Sequence, residues 1–208
     1  MPSRSHDARR PLTRDRILDA AIDLIESEGP GALSMRRLGS ALGVEAMAIY
    51  HHFKGREDLL RAIAERLLEP LVELEFGTDW RQACEAFATR LRGVAVARPS
   101  TFQLVGMQPL AQAALAPVER LLQTLVGAGF DPGTALAVYR ATVSLARGYA
   151  LAEATGFTVD AAGGLGLERL SVLDADEFPV LAGQVARLVD LDADRAFKLG
   201  IRALLRGI

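Results

Sequence analysis

Two of the chain's three histidines, His51 and His52, are adjacent in the stretch "GVEAMAIYHHFKGREDLL" at residues 43–60. Histidine serves as a metal ligand and as a general acid or base, so the pair first suggests one of those chemistries. Neighbouring side chains on a helix point about 100° apart, which suits a shared metal ion poorly, and the sequence has no G-x-S-x-G nucleophile motif. The spacing therefore favours a surface that contacts a charged partner over a metal site or a catalytic centre. The alternative is two ordinary residues at a helix end.

The overall charge gives no sign of a nucleic-acid partner, since 24 lysines and arginines are balanced by 26 aspartates and glutamates, for a net charge of -2. The local charge differs, because the first sixteen residues hold five arginines and two aspartates. Arg9, Arg10 and Arg14 fit a flexible basic arm that follows DNA along its backbone or minor groove. A disordered, solvated tail is the alternative.

Cys84 is the one cysteine, which excludes an intramolecular disulfide and a cysteine-rich zinc site and favours a reducing cytoplasm. The polar N-terminal residues predict no secretory signal. Residues 99–118 carry no charge, but their three prolines and three glutamines make a poor lipid-facing helix. The sequence therefore predicts a buried, partly irregular segment there and no membrane span.

Apolar residues recur at helical spacing along nearly the whole chain, and no long alternation indicates a strand, so the fold class is predicted to be all-α. Thr13 and Ser34 are suited to cap the first two helices, and Gly43 to the left-handed exit of the second. A third helix is predicted at about 45–51 and a fourth from Gly55 to near Pro70. Later helices are predicted at about 79–97 with Thr78 as cap, 116–128, 132–154 with Asp131 as cap, 177–190 and 193–206.

The short second and third helices, joined at Gly43, have the dimensions of a helix-turn-helix. The third helix is then the element that enters the DNA major groove, which is about 12 Å wide. Val44, Ile49 and Phe53 are predicted to pack inward. This leaves Ala46, Met47, Ala48, Tyr50 and His51 available to DNA, with His52 and Lys54 just beyond.

The stretch "TRDRILDAAIDLIESEGPGALSMRRLGSALGVEAMAIYHHFKGREDLLRAI", residues 13–63, resembles the N-terminal domain of the TetR family of transcriptional repressors. Its most specific parts are the hydroxyl cap before Met35, the "LGV" turn, and Tyr50 followed by Phe53. The resemblance implies that Met47 and Ala48 face base edges, where their apolar side chains suit a thymine methyl group. It also implies phosphate contacts by Ser34, Tyr50 and His52, a base or backbone contact by Arg36, and a place for Lys54 at the edge of the fourth helix, whose N-terminus attracts anions.

The family resemblance implies an N-terminal three-helix helix-turn-helix domain followed by a larger helical effector-binding and dimerisation domain. The predicted boundaries are a flexible basic arm at 1–12, the DNA-binding domain at 13–54 and the second domain at 55–208. The helix at 193–206 confines its basic residues to one narrow face, and the helix at 132–154 is sparse in charge. Both helices carry more apolar surface than one core requires, which predicts a homodimer. The alternative is a large monomer core.

The family's second domain holds a small-molecule pocket, and no histidine follows residue 52 here, so a ligand chelated through a metal held by a pocket histidine is not expected. We expect a mainly apolar organic effector, without metal or cofactor. Each candidate lining residue has plain core packing as its alternative. The candidates are Trp80, Cys84, Phe87, Phe102, Met107, Tyr139 and Thr142, with Gln103, Gln108 and Arg147 as polar anchors.

The sequence as a whole predicts a homodimeric regulator, most simply a repressor, that leaves double-stranded operator DNA when a small organic effector binds. A regulator that responds to a protein partner, or to no effector, is the alternative. The sequence offers no acid–base or nucleophile constellation, so an enzyme is not expected.

Overall fold

The computed structural model describes residues 11–105, 112–155, 174–180, 182–183 and 192–208, without the side chains of 112–114. Every regular element in these ranges is helical, which confirms the predicted all-α class. One 3-10 turn, Pro30–Ala32, accompanies the α-helices. The α-helices are α1 (Arg14–Glu28), α2 (Met35–Leu42), α3 (Ala46–Tyr50), α4 (Arg56–Val72), α5 (Trp80–Ala97), α6 (Pro99–Val105), α7 (Gln112–Gly127), α8 (Pro132–Ala154) and α9 (Ala193–Arg206).

Side-chain caps fix the starts of three helices at the residues that the sequence predicts. The Thr13 hydroxyl accepts from the Arg16 N–H at 3.2 Å, and the Ser34 hydroxyl accepts from the Arg37 N–H at 3.2 Å. The Asp131 carboxylate accepts from two backbone N–H groups of the first turn of α8. Each cap satisfies donors that a helix start leaves without a partner inside the helix.

The chain folds as two compact units. The N-terminal unit contains α1 to α4, α6 and the start of α7, whereas the C-terminal unit contains α5, the rest of α7, α8 and α9. Burial of large apolar side chains holds the N-terminal unit together, at about 1.5–3 kcal/mol for each. Its fully buried side chains include Ile17, Ile25, Leu38, Ile49, Phe53, Leu59 and Ile63.

α6 belongs to the N-terminal unit because α1 supplies the cap of α6. The Glu26 carboxylate accepts from the Thr101 N–H at 2.8 Å and from the Ser100 N–H at 3.4 Å. Arg98, just before the helix, pairs with Asp23 one turn back on α1 at 3.7 Å. Part of the stretch predicted to be irregular is therefore a helix, stabilised by residues more than seventy positions away.

Three other helix ends differ from the sequence predictions. α4 runs through Pro70 to Val72, since a proline in the last turn removes only one backbone bond. Asp79, and not Thr78, caps α5, accepting from the Arg81 N–H at 2.9 Å. α7 starts at Gln112 instead of 116 and contains Pro117. The helix predicted at 177–190 lies mostly outside the described residues. Among the described residues, no helix has the length and apolar character to cross a membrane.

A buried ion cluster joins three helices of the C-terminal unit. The Arg92 guanidinium on α5 donates to both carboxylate oxygens of Glu153 on α8, at 2.5 and 2.8 Å, and to Asp194 on α9 at 2.5 Å. Its Cζ also lies 5.0 Å from the centre of the Phe197 ring. Hydrogen bonding to Glu153 is the largest cause that raises the pKa of Arg92, and the bond from Arg92 lowers the pKa of Asp194. α5, α8 and α9 are thus linked by charge-assisted hydrogen bonds as well as by packing.

Candidate nucleic-acid interface and effector pocket

A tight turn sets the angle between α2 and α3. Gly43 has a φ of 69°, which confirms the predicted left-handed exit. The Val44 N–H donates to the Gly39 carbonyl at 2.9 Å. A Cβ added at Gly39 would lie 3.2 Å from the Ala46 nitrogen and 2.9 Å from the Val44 carbonyl oxygen, and the second distance is closer than Cβ atoms approach other heavy atoms in proteins. A side chain at position 39 would therefore force the backbone of the turn to shift.

α3 buries one side and presents the other to solvent. Ile49 is 0% exposed and Phe53, just beyond the helix, 1% exposed, so both pack inward as predicted, whereas Val44 is half-buried. Met47 is 65% exposed, which makes it an accessible apolar side chain on this surface. The other predicted base-reading or phosphate-binding residues near α3 are also reachable: Tyr50 and His51 are exposed, and Ala46, Ala48 and His52 are half-buried.

Arg14 differs from its predicted place in a flexible arm, because it is the first residue of α1. Its guanidinium donates to the His52 carbonyl and lies 4.1 Å from the centre of the Phe53 ring. Arg14 thus ties α1 to the residues that follow α3 and holds the His52 backbone in place. Arg9 and Arg10 lie outside the described residues.

The predicted phosphate-binding groups keep the capacity to bind an anion. The Ser34 oxygen accepts from the backbone of α2, which leaves its hydroxyl hydrogen free to donate outward. Asp58 accepts from the Lys54 N–H at 2.9 Å, so this acid is engaged at the start of α4 while the Lys54 side chain is exposed. Arg37 pairs with Glu28, and Arg36 is exposed beside it. The surface around α2, α3 and the start of α4 can therefore supply both charge and hydrogen-bond donors.

Aromatic rings form two contacting groups in the C-terminal unit, and these groups include three of the predicted pocket residues. Phe87 lies edge-on to Tyr139 with ring centres 6.0 Å apart, and it also contacts Phe76 at 6.4 Å. Trp80 lies edge-on to Phe130 at 4.9 Å. The sequence analysis did not identify Phe76 and Phe130 as pocket residues, because both lie outside helices, where no periodicity marks a buried side chain. The signal that the sequence did contain was an aromatic residue close to the end of a helix. We call Phe76, Trp80, Phe87, Phe130 and Tyr139 the aromatic cluster.

The polar members of the predicted pocket are buried or shielded to different degrees. Burial raises the pKa of the Cys84 thiol to about 11, and a hydrogen bond to Thr142 opposes part of that rise, so the thiol stays neutral at physiological pH. The Thr142 hydroxyl donates to the Val138 carbonyl at 2.8 Å. Burial raises the pKa of Tyr139, while the charge of exposed Arg147 lowers it. Cys84 and Thr142 thus lie together in the interior of the unit.

The remaining predicted pocket residues are distributed differently. Phe102 and Gln103 lie on α6, in the N-terminal unit. Met107 and Gln108 lie outside the described residues. The structure therefore brings Cys84 into contact with Thr142 and Phe87 into contact with Tyr139. The charge of Arg147 acts on the same Tyr139 side chain and lowers its pKa.

Comparison with known proteins agrees with this architecture. Residues 17–63 match the family model described as bacterial regulatory proteins, tetR family, and residues 74–208 match that of the tetracyclin repressor-like C-terminal domain. An HTH-type transcriptional regulator from Saccharopolyspora erythraea is 32% identical over 186 residues, covering 88% of this chain and 78% of the relative. The class C tetracycline repressor from Escherichia coli is 30% identical over 172 residues, covering 80% of this chain and 70% of the repressor.

Two solved structures from Streptomyces coelicolor have the same fold. A chain described as a possible TetR family transcriptional regulator superposes with a TM-score of 0.75 at 28% identity, covering 94% of this chain and 98% of that one. ActR in complex with actinorhodin superposes with a TM-score of 0.72 at 26% identity, covering 95% of this chain and 97% of ActR. Together with the two family models, these similarities show that the chain belongs to the TetR family of bacterial regulators, and as such it is a DNA-binding transcriptional regulator and not an enzyme.

Proposed function

We propose that the protein is a homodimeric repressor that binds operator DNA through α2 and α3 and is released by a small, mainly apolar organic ligand. The observation that carries the DNA-binding part is the fixed α2–α3 turn, with Met47 and Tyr50 exposed on α3. Phosphate contacts by Ser34, His52 and Lys54 would position that helix, and the apolar side chains of α3 would read thymine methyl groups.

Surplus apolar surface on α8 and α9 supports the homodimer. Phe197 and Ile201 lie on the side of α9 that packs into the core of the unit, and both are 0% exposed. Leu199 on α9 is 56% exposed, and Leu151 and Leu136 on α8 are 61% and 47% exposed. Large apolar side chains that are this accessible on two helices suit contact with the same helices of a second copy.

The aromatic cluster supports an effector with flat apolar surfaces. Edge-on ring pairs such as Phe87 with Tyr139 offer ring faces and edges against which another ring packs. The related ActR binds actinorhodin, which makes that compound a reasonable first probe for this chain. Release requires that the ligand bind one arrangement of the two DNA-reading heads more tightly than the other, by a few kcal/mol.

Loss of the proposed phosphate contacts should weaken DNA binding without unfolding the protein. We expect the double variant Tyr50→Phe/His52→Ala, and separately Arg36→Ala, to lower operator affinity by roughly tenfold, since each removes interactions worth about 1.4 kcal/mol or more over the two heads of a dimer. The measurement is fluorescence anisotropy with an operator selected in vitro by the unmodified protein. The slope of log affinity against log salt should flatten by about 0.9 for each phosphate that a variant no longer neutralises.

Thermal unfolding of the same variants is the control, because Tyr50 and Arg36 are exposed and their replacement should leave the melting temperature nearly unchanged. Arg90→Ala, an exposed arginine on α5, is the matched charge control and should bind DNA as the unmodified protein does. Unchanged affinity and unchanged salt slope in both α2–α3 variants would remove these residues from the interface.

Loss of the Tyr139 ring should impair release by ligand and leave ligand-free DNA binding intact. We expect Tyr139→Ala to raise the ligand concentration needed for half release by at least about tenfold, the equivalent of one ring contact of about 1.4 kcal/mol. Tyr139→Phe keeps the ring and should retain most of the response. The measurement is release of labelled operator by actinorhodin and by a panel of hydrophobic compounds.

The outcome also separates the proposal from its alternative. If no compound raises the melting temperature or releases the operator, the protein responds to a protein partner or to no effector. If a compound releases the operator equally from Tyr139→Ala and the unmodified protein, the aromatic cluster is core packing and the effector binds elsewhere.

A further inference from the structure

Glu45, the residue immediately before α3, is an acid at the edge of the surface that is proposed to face DNA. Its backbone is extended, with a φ of -72° and a ψ of 147°, and its carbonyl accepts from the Ala48 N–H at 3.0 Å. Its side chain is exposed and makes no cap hydrogen bond to the helix. With the cations of the described ranges it forms no ion pair. Glu45 therefore presents an unengaged carboxylate at the start of α3.

The other acids near this surface each have a structural role. Glu28 pairs with an arginine of α2, and Asp58 accepts from the Lys54 N–H at 2.9 Å. Glu57 lies in the first turn of α4, where the helix dipole favours a negative charge. An unengaged carboxylate weakens binding to DNA phosphates through repulsion, unless it meets a hydrogen-bond donor. This cost points to a donor on the DNA as the partner of Glu45.

The side chains that follow Glu45 offer no competing polar contact. Ala46 and Ala48 carry no polar side-chain group, and the Met47 thioether is at most a weak acceptor. Met47 is 65% exposed, so its apolar surface is accessible two residues beyond Glu45. The Glu45 carboxylate is thus the strong side-chain acceptor at the start of α3.

The major-groove edges of the bases offer two donors, the amino groups of cytosine and of adenine. Adenine N6 lies beside N7, an acceptor that repels a carboxylate, whereas cytosine presents its N4 amino group without such an acceptor. Recognition helices contact base edges with the residues at their N-terminal end, which is the position of Glu45. We propose that Glu45 determines operator specificity by accepting a hydrogen bond from the N4 amino group of a cytosine. This inference rests on the proposed DNA-binding function and deepens it, since it assigns a base to a residue.

Combined protein and base substitutions test this contact. The unmodified protein first selects an operator in vitro, and each base pair of the half-sites is then replaced in turn, with affinity measured by fluorescence anisotropy. At one C·G pair, replacement should lower the affinity of the unmodified protein at least about tenfold, but that of Glu45→Ala less than about threefold. The penalties at the other positions should be the same in both proteins. Glu45→Gln should prefer adenine at that position, because a carboxamide pairs with both N6 and N7.

Glu57→Gln is the matched control, because it also removes one exposed negative charge, at the start of α4. It should change the affinity for all operators alike and leave the base preferences unchanged. The melting temperature of Glu45→Ala should match that of the unmodified protein, since the exposed Glu45 side chain makes no cap hydrogen bond.

The possible results separate this inference from the proposed function. Equal base penalties in the unmodified protein and in Glu45→Ala overturn the role of Glu45 and leave DNA binding by α2 and α3 intact. A uniform rise in affinity for every operator in Glu45→Ala, as in Glu57→Gln, overturns it too, because Glu45 then only repels phosphates. Loss of preference at an adenine instead of a cytosine overturns the assigned base. If the unmodified protein selects no sequence, the proposed function itself fails, and the role of Glu45 fails with it.

Discussion

Gly39→Ala is expected to lower operator affinity by at least about tenfold, although it adds a single methyl group. That methyl group would lie 2.9 Å from the Val44 carbonyl oxygen, and the atoms it meets are backbone, which cannot rotate away as a side chain can. Overpacking of this kind costs typically about 1–3 kcal/mol, more than the roughly 1 kcal/mol that alanine gains over glycine inside a helix. The turn must therefore shift, and α3 moves with it.

The measurement pairs operator anisotropy with thermal unfolding for Gly39→Ala and for Gly31→Ala. Gly31 is exposed in the same unit, and a Cβ there would meet nothing within 4 Å, so Gly31→Ala should bind DNA and melt like the unmodified protein. In the proposed dimer both DNA-binding heads carry the substitution, so the effect on affinity should exceed the effect on the stability of one head. Normal affinity in Gly39→Ala would mean that the angle between α2 and α3 is not what positions the DNA-reading surface.

Arg92→Met should destabilise the protein by about 3 kcal/mol, because it leaves the Glu153 carboxylate without its bidentate partner in a largely buried position. For a chain of this size the corresponding fall in melting temperature is roughly 6–12 °C. Asp194→Asn should cost much less, since that side chain is 66% exposed and water can take the place of its ion pair.

The compensating variant Arg92→Met/Glu153→Met distinguishes an unpaired buried charge from loss of packing. Removing both charges should recover most of the melting temperature, because an apolar pair of similar volume often replaces a buried ion pair without loss. Arg140→Met on α8, the helix that carries Glu153, is the exposed control and should change the melting temperature little. If the double variant is no more stable than Arg92→Met alone, the cluster stabilises the unit through shape and not through charge.

Local signals account for the parts of the fold that the sequence predicts well. Thr13, Ser34 and Asp131 cap helices within three residues of themselves, so their pattern is visible in a short window. The left-handed residue at Gly43 is equally local. α6 was missed because Glu26, which accepts from its first N–H groups, comes from another helix. A cap of this kind leaves no trace in the residues that precede Pro99.

In the candidate sites, too, local spacing predicts some residues, whereas others depend on partners that are distant in the sequence. The inward set of α3 follows from helical spacing, and Ile49 and Phe53 are buried as predicted. The Arg92 cluster was missed because its partners lie 61 and 102 residues away. The sequence did hold one signal for this cluster. Arg92 follows Ala88 by four residues and Cys84 by eight, which places a charged residue on the buried stripe of α5. Only long-range packing determines which partner such a charge finds.

The contact between Glu26 and α6 has a consequence for the order in which the protein is made. A ribosome delivers α1 to α4 well before it delivers residues 99–105, yet α6 belongs to the same compact unit as those four helices. The DNA-reading half of the nascent chain therefore stays incomplete until synthesis has passed through α5, which belongs to the other unit. Because of this interleaving, a truncated chain that ends at α4 lacks α6, which packs against α1 and α4 in the complete unit.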